Sequence, residues 1–219
     1  MPKVSEEYLM EKRKAILDCA RDLIKEMPLY TITMRDFIKR LGYSQGVIYR
    51  YYKSTDEIFV DLMNREIEDI EVMKYLDEIL EKKLSFEESI HQMFECFAHY
   101  VYKVQNAIGG KLYYEIQVGY MFDYEKQQRL LSQMIYKKNL ERIQEKLTLY
   151  IVAKIEKEGF VLKYPMTEFV EYICATIDGI CNDHAVWLEM GKTKGKEIIK
   201  AQFRMLADYC LLCVGERKN

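Results

Sequence analysis

Proline is so scarce in this sequence that it limits the folds open to the chain. Only three of the 219 residues are proline, and none falls between Leu29 and Tyr164. Glycine is also uncommon, with ten residues. Strands joined by tight turns need more of both, because glycine and proline supply the backbone angles of most turns. The sequence therefore predicts an all-α protein.

Apolar residues recur at helical spacing along most of the chain. A first helix is expected from about Ser5 to Glu26, and Met27–Pro28 ends it because the residue before proline avoids helical angles. Two long helices are expected, one from Thr55 to about Glu81 and one from about Tyr124 to Glu158. The segment Asn106–Phe122 contains three glycines and is expected to be broken or loosely helical.

Two short helices with a short turn between them form the most specific local pattern. Thr33 can cap a helix from Met34 to Leu41, which Gly42 ends. Ser44 can then cap a further helix from Gln45 to about Tyr51. This spacing is typical of a helix-turn-helix. The turn alone leaves open the alternative of an ordinary small helical bundle.

Charge is unevenly distributed along the chain. The net charge is −2, which excludes a uniformly basic nucleic-acid-coating protein and an acidic disordered tail. Residues 27–55 nevertheless hold five basic side chains and one acidic side chain, whereas residues 61–219 hold 22 basic and 26 acidic ones. A basic module on an acidic body is typical of a DNA-binding head.

The third helix carries side chains that suit DNA. Ile48 and Tyr52 lie four residues apart and are expected to face inward, which turns Gln45, Tyr49 and Arg50 outward. Gln pairs with adenine and Arg with guanine in the major groove, and tyrosine hydroxyls suit phosphate oxygens. Polar residues outside and aromatic residues inside also describe any amphipathic helix. The pattern therefore leaves open the alternative that this is an ordinary amphipathic helix.

The order of residues in this region resembles a known family. Residues 16–24, 33–54 and 56–59 are similar to the N-terminal domain of the tetracycline-repressor (TetR) family, and the resemblance spans about residues 10–63. Beyond it, the length and the helical body that ends in two apolar helices fit the ligand-binding and dimerisation domain of that family. Ile38, Val47 and Thr55 depart from the family's pattern, which leaves the operator sequence open.

The resemblance implies a three-helix helix-turn-helix DNA-binding domain at residues 1–54 and a larger helical ligand-binding and dimerisation domain at residues 55–219. It implies a homodimeric transcriptional regulator, usually a repressor, that binds a palindromic double-stranded DNA operator and leaves it when a small-molecule effector binds. We expect no enzyme activity and no cofactor. By position, the DNA-binding residues are Thr33, Arg35, Ser44, Gln45, Gly46, Val47, Tyr49, Arg50, Tyr51 and Lys53.

The body is rich in aromatic and methionine side chains around its glycine-containing segment. Such residues form adaptable apolar pockets, so we expect the effector to be a small apolar or aromatic molecule. Ordinary core packing is the alternative. A ligand that presses on the fourth helix would change the separation of the two recognition helices. The candidate pocket residues are Phe94, Phe97, Val101, Tyr113, Gln117, Met134, Asp178, Cys181 and His184.

The last two helices, from Thr167 to Gly191 and from about Lys196 to Val214, carry apolar surfaces wider than a single stripe. Two such helices can bury one side in their own core and the other in a second copy, which makes a four-helix interface. A fully buried central pair in a monomer is the alternative. The candidate interface residues are Ile180, Trp187, Phe203, Leu206, Cys210 and Cys213.

The six cysteines have no spacing typical of a secreted disulfide framework, so we expect a cytoplasmic protein with reduced thiols. The first residues contain no hydrophobic signal region, and no run approaches the ~20 apolar residues that span a membrane. Cys210 and Cys213 form a CxxC, but we expect no metal because no second pair lies near in sequence. The alternative function is an all-helical ligand-binding or thiol- or metal-sensing protein with a weakened DNA-binding head.

Overall fold

The computed structural model describes residues 5–67, 71–107, 109–191 and 195–215. These residues form eleven α-helices and one pair of two-residue strands, β1 (Val161–Leu162) and β2 (Val214–Gly215), which confirms the all-α class. The helices are α1 (Glu6–Glu26), α2 (Met34–Leu41), α3 (Gln45–Tyr51), α4 (Thr55–Ile67), α5 (Val72–Glu81), α6 (Phe86–Asn106), α7 (Gly109–Gly119), α8 (Tyr124–Ser132), α9 (Ile135–Glu158), α10 (Met166–Glu189) and α11 (Lys196–Cys213).

The chain divides into two compact units. The first unit comprises Met1–Glu68 and Leu112–Tyr136, and the second comprises Asp69–Lys111 and Lys137–Asn219. The first unit extends beyond residue 54, because α4 packs on α1 and the segment from Leu112 to Tyr136 groups with the N-terminal helices rather than with the rest of the body. The division into functional domains after residue 54 stays a prediction.

The core of the first unit forms where α1, α2, α3 and α4 bury their apolar faces. Ile16, Phe37, Ile48, Ile58 and Leu62 are fully buried there. Each apolar side chain of this size contributes about 1.5–3 kcal/mol when it leaves water. The described limits of α1, α2 and α3 agree with the sequence-based expectations to within a residue.

α4 ends at Ile67, well before the expected limit near Glu81. Residues 68–70 lie outside the described part of the chain, and α5 begins as a separate helix at Val72. α4 buries Ile58 and Leu62 in the first unit, whereas α5 packs on α6 in the second. One apolar stripe in the sequence thus serves two different cores, and periodicity alone does not reveal the division.

The helix expected from Tyr124 to Glu158 is two helices, α8 and α9, which meet at Gln133 and Met134. Asn64 of α4 accounts for the break. Its Nδ2 donates to the carbonyl oxygen of Gln133 (3.2 Å), and its Oδ1 accepts from the backbone N–H of Ile135 (2.8 Å). These bonds satisfy backbone groups that the end of one helix and the start of the next leave unpaired.

The segment expected to be broken, Asn106–Phe122, contains the regular helix α7. Gly110 is required there by close packing, because a Cβ at this position would lie 2.2 Å from Oε1 of Gln105 and 2.9 Å from its backbone. The glycine therefore marks a close approach to the end of α6 and not an interruption of the helix.

The second unit is built around α6. Ser85 and Glu88 form a capping box at its start, in which the Ser85 hydroxyl accepts from the Glu88 N–H (3.2 Å) and the Glu88 carboxylate accepts from the Ser85 N–H (3.0 Å). α11 packs along α6 and buries Ile199 and Phe203, and α5 and α10 also contact α6. Among the described residues, no helix is long and apolar enough to cross a lipid bilayer.

Candidate nucleic-acid interface and ligand cavity

α3 is anchored to the first unit from its inner face. Ile48 is fully buried, and Tyr52, at the end of α3, is buried beside α1 and α4. The Tyr52 hydroxyl donates to Asp61 and accepts from Nε of Arg13 (3.3 Å), while Arg13 forms an ion pair with Asp61 (2.6 Å). Burial raises the pKa of the Tyr52 hydroxyl, so it stays protonated. This network fixes the direction in which α3 presents its outer face.

The start of α2 is fixed by a capping interaction. The backbone N–H and the hydroxyl of Thr33 both donate to Oδ2 of Asp36 (2.7 Å each). These bonds lower the pKa of Asp36 and keep its carboxylate ionised. α2 ends at Gly42, which adopts a left-handed conformation (φ +66°) that favours glycine. The turn that brings α3 against α2 therefore follows from local sequence.

Two of the three side chains expected on the outer face of α3 are exposed. Gln45 and Arg50 are exposed, and Tyr49 is half-buried. A Cβ on Gly46 would meet nothing within 4 Å, so the backbone there is open to an approaching molecule. Of the ten predicted DNA-binding residues, those exposed are Thr33, Arg35, Ser44, Gln45, Gly46, Arg50 and Lys53, and those half-buried are Val47, Tyr49 and Tyr51.

Two side chains of the interface differ from expectation. Ser44 occupies the N-cap position of α3, but its hydroxyl makes no capping hydrogen bond. Lys53 is partly engaged at the other end of the helix, where its Nζ donates to the carbonyl oxygen of Tyr49 (2.9 Å). Lysine at the last carbonyls stabilises a helix end, so Lys53 has a structural role besides its charge.

The cations of the basic module are not equivalent. Arg40 forms a two-bond ion pair with Glu26 (2.6 and 2.7 Å), which neutralises part of the positive charge counted from the sequence. Arg35, Lys39 and Arg50 have no ion pair among the described residues. These three side chains therefore remain available to an external anion.

A cation outside the helix-turn-helix joins this surface. Nζ of Lys12, on α1, lies 4.1 Å from the ring centroid of Tyr43, the residue before Ser44. Sequence reasoning missed Lys12 because it lies about 30 residues before the motif, and no local pattern reports a contact across that distance. The aromatic residue at position 43 is the only local hint of a cation-binding ring.

A cavity of about 90 Å³ lies within the second unit. A single water needs at least ~10–15 Å³, so the cavity has room for more than one water-sized group. Its apolar walls come from α6, α9, α10 and α11 and include Phe97, Val101, Leu140, Ile143, Leu147, Ile151, Phe169, Ile173, Ile177 and Phe203. Its polar lining includes Lys137, Glu141, Gln144, Thr148, Cys174 and Asp178.

Three of the nine predicted pocket residues line this cavity, namely Phe97, Val101 and Asp178. Removal from water raises the pKa of Asp178, and the nearby charge of Lys137 opposes that rise. An apolar chamber with a carboxyl, an ammonium and a thiol at its wall can hold a small molecule that is apolar over most of its surface.

The other six predicted pocket residues do not line this cavity. Tyr113, Gln117 and Met134 belong to the first unit, where Tyr113 packs edge-on against Tyr136 (4.8 Å between centroids) and Met134 fills the junction of α8 and α9. The remaining three belong to the second unit and are buried in its core instead, and they are Phe94, Cys181 and His184.

His184 is the most unusual of these buried side chains. It is fully buried on α10, and neither ring nitrogen has a hydrogen-bond partner among the residues that the structure describes. Burial lowers its pKa, because the charged imidazolium loses hydration. The ring is therefore neutral at physiological pH.

The two cysteines of the CxxC have the environment of packed apolar side chains. Cys210 and Cys213 are buried, and burial raises the pKa of Cys210 to about 12. A thiol needs a lowered pKa and exposure to react as thiolate, so this CxxC is poorly suited to sensing. In the described ranges, no three His, Cys, Asp or Glu side chains lie close enough together to hold a metal ion.

The predicted dimer-interface residues are mostly occupied within their own chain. Ile180, Phe203, Leu206, Cys210 and Cys213 are buried, and Trp187 is half-buried with its Nε1 donating to Asp183 (3.0 Å). The assignment of these residues to a dimer interface stays a prediction. On α11, the side that packs against α6 carries Phe203, Leu206, Cys210 and Cys213. The outer side of α11 carries a second apolar stripe, formed by Ile198, Met205 and Leu212, which are 49%, 70% and 68% exposed.

Comparison with known proteins connects the helix-turn-helix with a family. Residues 16–62 match the family described as bacterial regulatory proteins of the tetR family. This part of the chain is similar to the TetR family. The match covers α2, α3, most of α1 and most of α4, which are the elements that build and support the surface described above.

Two relatives of this chain are named as HTH-type transcriptional regulators. The chain is 34% identical over 58 residues to the uncharacterised HTH-type transcriptional regulator YfiR of Bacillus subtilis, covering 26% of this chain and 28% of that protein. It is 35% identical over 68 residues to the HTH-type transcriptional repressor Rv1474c of Mycobacterium tuberculosis, covering 31% and 36%. The chain thus spans about a third of the length of these relatives.

The likeness in fold extends over nearly the whole chain. A structure described as a TetR-family transcriptional regulator from Syntrophomonas wolfei matches with a TM-score of 0.62 at 18% identity, covering 93% of this chain and 96% of that one. At this identity the match establishes the fold of the body and not its ligand.

Proposed function

We propose that this protein is a cytoplasmic, homodimeric transcriptional regulator that binds palindromic double-stranded DNA through α3 and releases it when a small molecule binds. The proposal rests on the side chains that are exposed on the outer face of α3. Gln45 and Arg50 are exposed beside the open backbone of Gly46, while Ile48 and Tyr52 anchor the helix from inside. Side chains of these types read base edges in the major groove.

The charge pattern of the first unit supports a DNA ligand. Arg35, Lys39 and Arg50 are without ion pairs among the described residues, whereas arginines elsewhere in the unit are tied to carboxylates. Basic side chains at the surface neutralise backbone phosphates and release counterions, which gives affinity that falls steeply with salt. The name of the Mycobacterium tuberculosis relative supports repression as the direction of regulation.

Arg50 and Arg40 provide a matched test of DNA binding. The full chain is used to select a duplex from random sequence, and its dissociation constant is measured for Arg50→Ala and Arg40→Ala. We expect Arg50→Ala to cost about 1–3 kcal/mol of binding, the value of a bidentate base contact. Arg40→Ala should cost far less, because Arg40 already pairs with Glu26. Equal losses for the two variants would contradict base reading by Arg50.

The cavity of the second unit is the proposed effector site. It is mostly apolar, and its volume is about 90 Å³. We infer that the effect passes along α9, which contributes Lys137 and Leu140 to the cavity and begins at Ile135, whose N–H is bonded to Asn64.

The effector proposal makes a reciprocal prediction. By linkage, a ligand that weakens operator binding must itself be bound more weakly when operator is present, typically by about 5–150-fold. Small apolar molecules that raise the unfolding temperature are identified first, and operator affinity is then measured with saturating ligand. Unchanged operator affinity for every ligand that occupies the cavity would contradict induction.

A further inference from the structure

Lys12 is held in place by aromatic rings beside the recognition helix. Its Nζ lies 4.1 Å from the ring centroid of Tyr43 and 5.3 Å from that of Tyr8. Tyr51 of α3 is close enough to act on the same charge. A cation over the face of a tyrosine ring is attracted by the ring's negative face. The ammonium is therefore kept next to the residue that leads into α3.

The partners of Lys12 set it apart from the arginines of the same unit. Arg13, Arg21, Arg40 and Arg65 pair with the carboxylates of other helices and tie the unit together. Lys12 has no carboxylate partner among the described residues, and its ring partners are tyrosines. Its positive charge is consequently not cancelled, although its side chain is ordered.

Order of this kind matters for a lysine. A free lysine side chain has many rotamers, and fixing it on binding costs conformational entropy. A side chain that is already held against two rings loses less on contact with an anion, which is the general benefit of pre-organisation. Tyr8 and Tyr43 thus prepare Lys12 for an anion on the same side as α3.

We propose that Lys12 contacts a phosphate of the DNA backbone from outside the helix-turn-helix, and that Tyr8 and Tyr43 are positioning residues for it. The proposal rests on the proposed DNA-binding function. A lysine acts on phosphate as a point charge, so this contact adds affinity for any duplex and does not read sequence.

The test is the salt dependence of duplex binding by the full-length protein. Lys12→Met should lower the slope of log K against log[salt] by about 0.9 for each protomer bound, because one phosphate contact is lost. Affinity should fall by a similar factor for the selected duplex and for random duplex. Lys12→Arg should keep the slope of the unaltered protein.

Lys14→Met is the matched control. Lys14 is exposed on the same helix two residues further on, about 200° around the helix axis from Lys12. The variant removes the same charge from the opposite face, so its slope should stay that of the unaltered protein. Equal slopes for Lys12→Met and Lys14→Met would overturn the proposal.

Tyr43 is tested by a double-mutant cycle. Tyr43→Leu should reduce affinity when Lys12 is present and have little further effect in the Lys12→Met background, since its role acts through Lys12. Tyr43→Phe keeps the ring and should bind like the unaltered protein. Additive losses would contradict a positioning role for Tyr43. A full-length protein that binds no duplex at low salt would overturn the proposed function itself and this contact with it.

Discussion

At the scale of single residues, folding and DNA binding make different demands on Gly46. It lies in the first turn of α3, where alanine would be a better helix former by about 0.5–1 kcal/mol. A Cβ there meets no protein atom within 4 Å, so the chain itself gives no steric reason for glycine.

Gly46→Ala should therefore separate stability from affinity. We expect the unfolding temperature to stay the same or rise, while affinity for the selected duplex falls at least ~10-fold, or about 1.4 kcal/mol. The reason is that the added methyl group occupies space needed by DNA. Thermal unfolding and duplex binding are measured on the same sample. An affinity within twofold of the unaltered protein would show that DNA does not approach this backbone.

His184 gives the body a pH dependence whose sign follows from its burial. Its pKa is lowered in the folded chain, so the unfolded chain binds more protons as the pH falls below the ordinary histidine value of about 6.5. The free energy of unfolding should be constant above that pH and decrease below it. One proton taken up on unfolding gives a slope of at most about 1.4 kcal/mol per pH unit.

Urea unfolding at pH 7.5 and pH 5.5 tests this prediction. His184→Leu should lose most of the difference in unfolding free energy between the two pH values. His99→Gln is the matched control, because the pKa of His99 is also lowered, by partial burial and then by neighbouring lysines, but the ring is not fully buried. An unchanged pH difference in His184→Leu would contradict the assignment.

At the scale of elements, the break between α8 and α9 depends on Asn64. Asn64→Ala removes the acceptor for the Ile135 N–H and the donor for the Gln133 carbonyl. We expect the free energy of unfolding to fall by about 1–3 kcal/mol, because these backbone groups lose their partner. Gln128→Ala, at an exposed position on α8, should change it by less than ~0.5 kcal/mol.

The Asn64→Ala variant also tests the proposed route by which a ligand in the cavity of the second unit affects DNA binding by α3. In Asn64→Ala a ligand of the second unit should bind as before but release operator less effectively. Effector affinity and operator affinity are measured separately, and unchanged release would exclude this hydrogen bond from the route.

Helices could be predicted from the sequence where the signals that start and end them are local. Gly42 and Pro28 end their helices, and Ser85 begins α6, through contacts within four residues. The division of α8 from α9 depends on Asn64, some 70 residues away, so no local pattern contains it. The outer face of α3 was predictable because a short helix with two anchors has only one orientation.

The lining of the cavity and the outer apolar stripe of α11 were less predictable from the sequence, because they too depend on packing between distant parts of the chain. Residues 198 to 213 carry two apolar stripes, and only the packing against α6 decides that Phe203 lies inside and Met205 outside. Likewise Tyr113 and Phe97 are both aromatic and near in sequence, but they belong to different compact units. Composition cannot assign side chains to separate cores.

At the scale of the whole molecule, the outer stripe of α11 predicts how two copies associate. We propose that Ile198, Met205 and Leu212 lie in the dimer interface, because a stripe of exposed apolar residues is stabilised by burial against a second copy. Met205→Glu should raise the dissociation constant of the dimer at least ~10-fold, or about 1.4 kcal/mol, without loss of helix content.

Phe203 is the matched position on the other side of the same helix. Phe203→Ala should lower the free energy of unfolding by about 3–5 kcal/mol through the cavity it leaves, as expected for a buried aromatic residue. Analytical ultracentrifugation and urea unfolding of both variants separate association from folding. A Met205→Glu protein that remains a dimer at nanomolar concentration would contradict this interface.

The central claim is that two copies of α3 read one palindromic duplex. Its most direct test is the selection of random duplex DNA on the purified full-length protein, followed by sequencing of the bound fraction. The account predicts enrichment of an inverted repeat whose half-site centres lie one helical turn, about 34–36 Å, or a multiple of it apart. A folded dimer that enriches no sequence at low salt would contradict it.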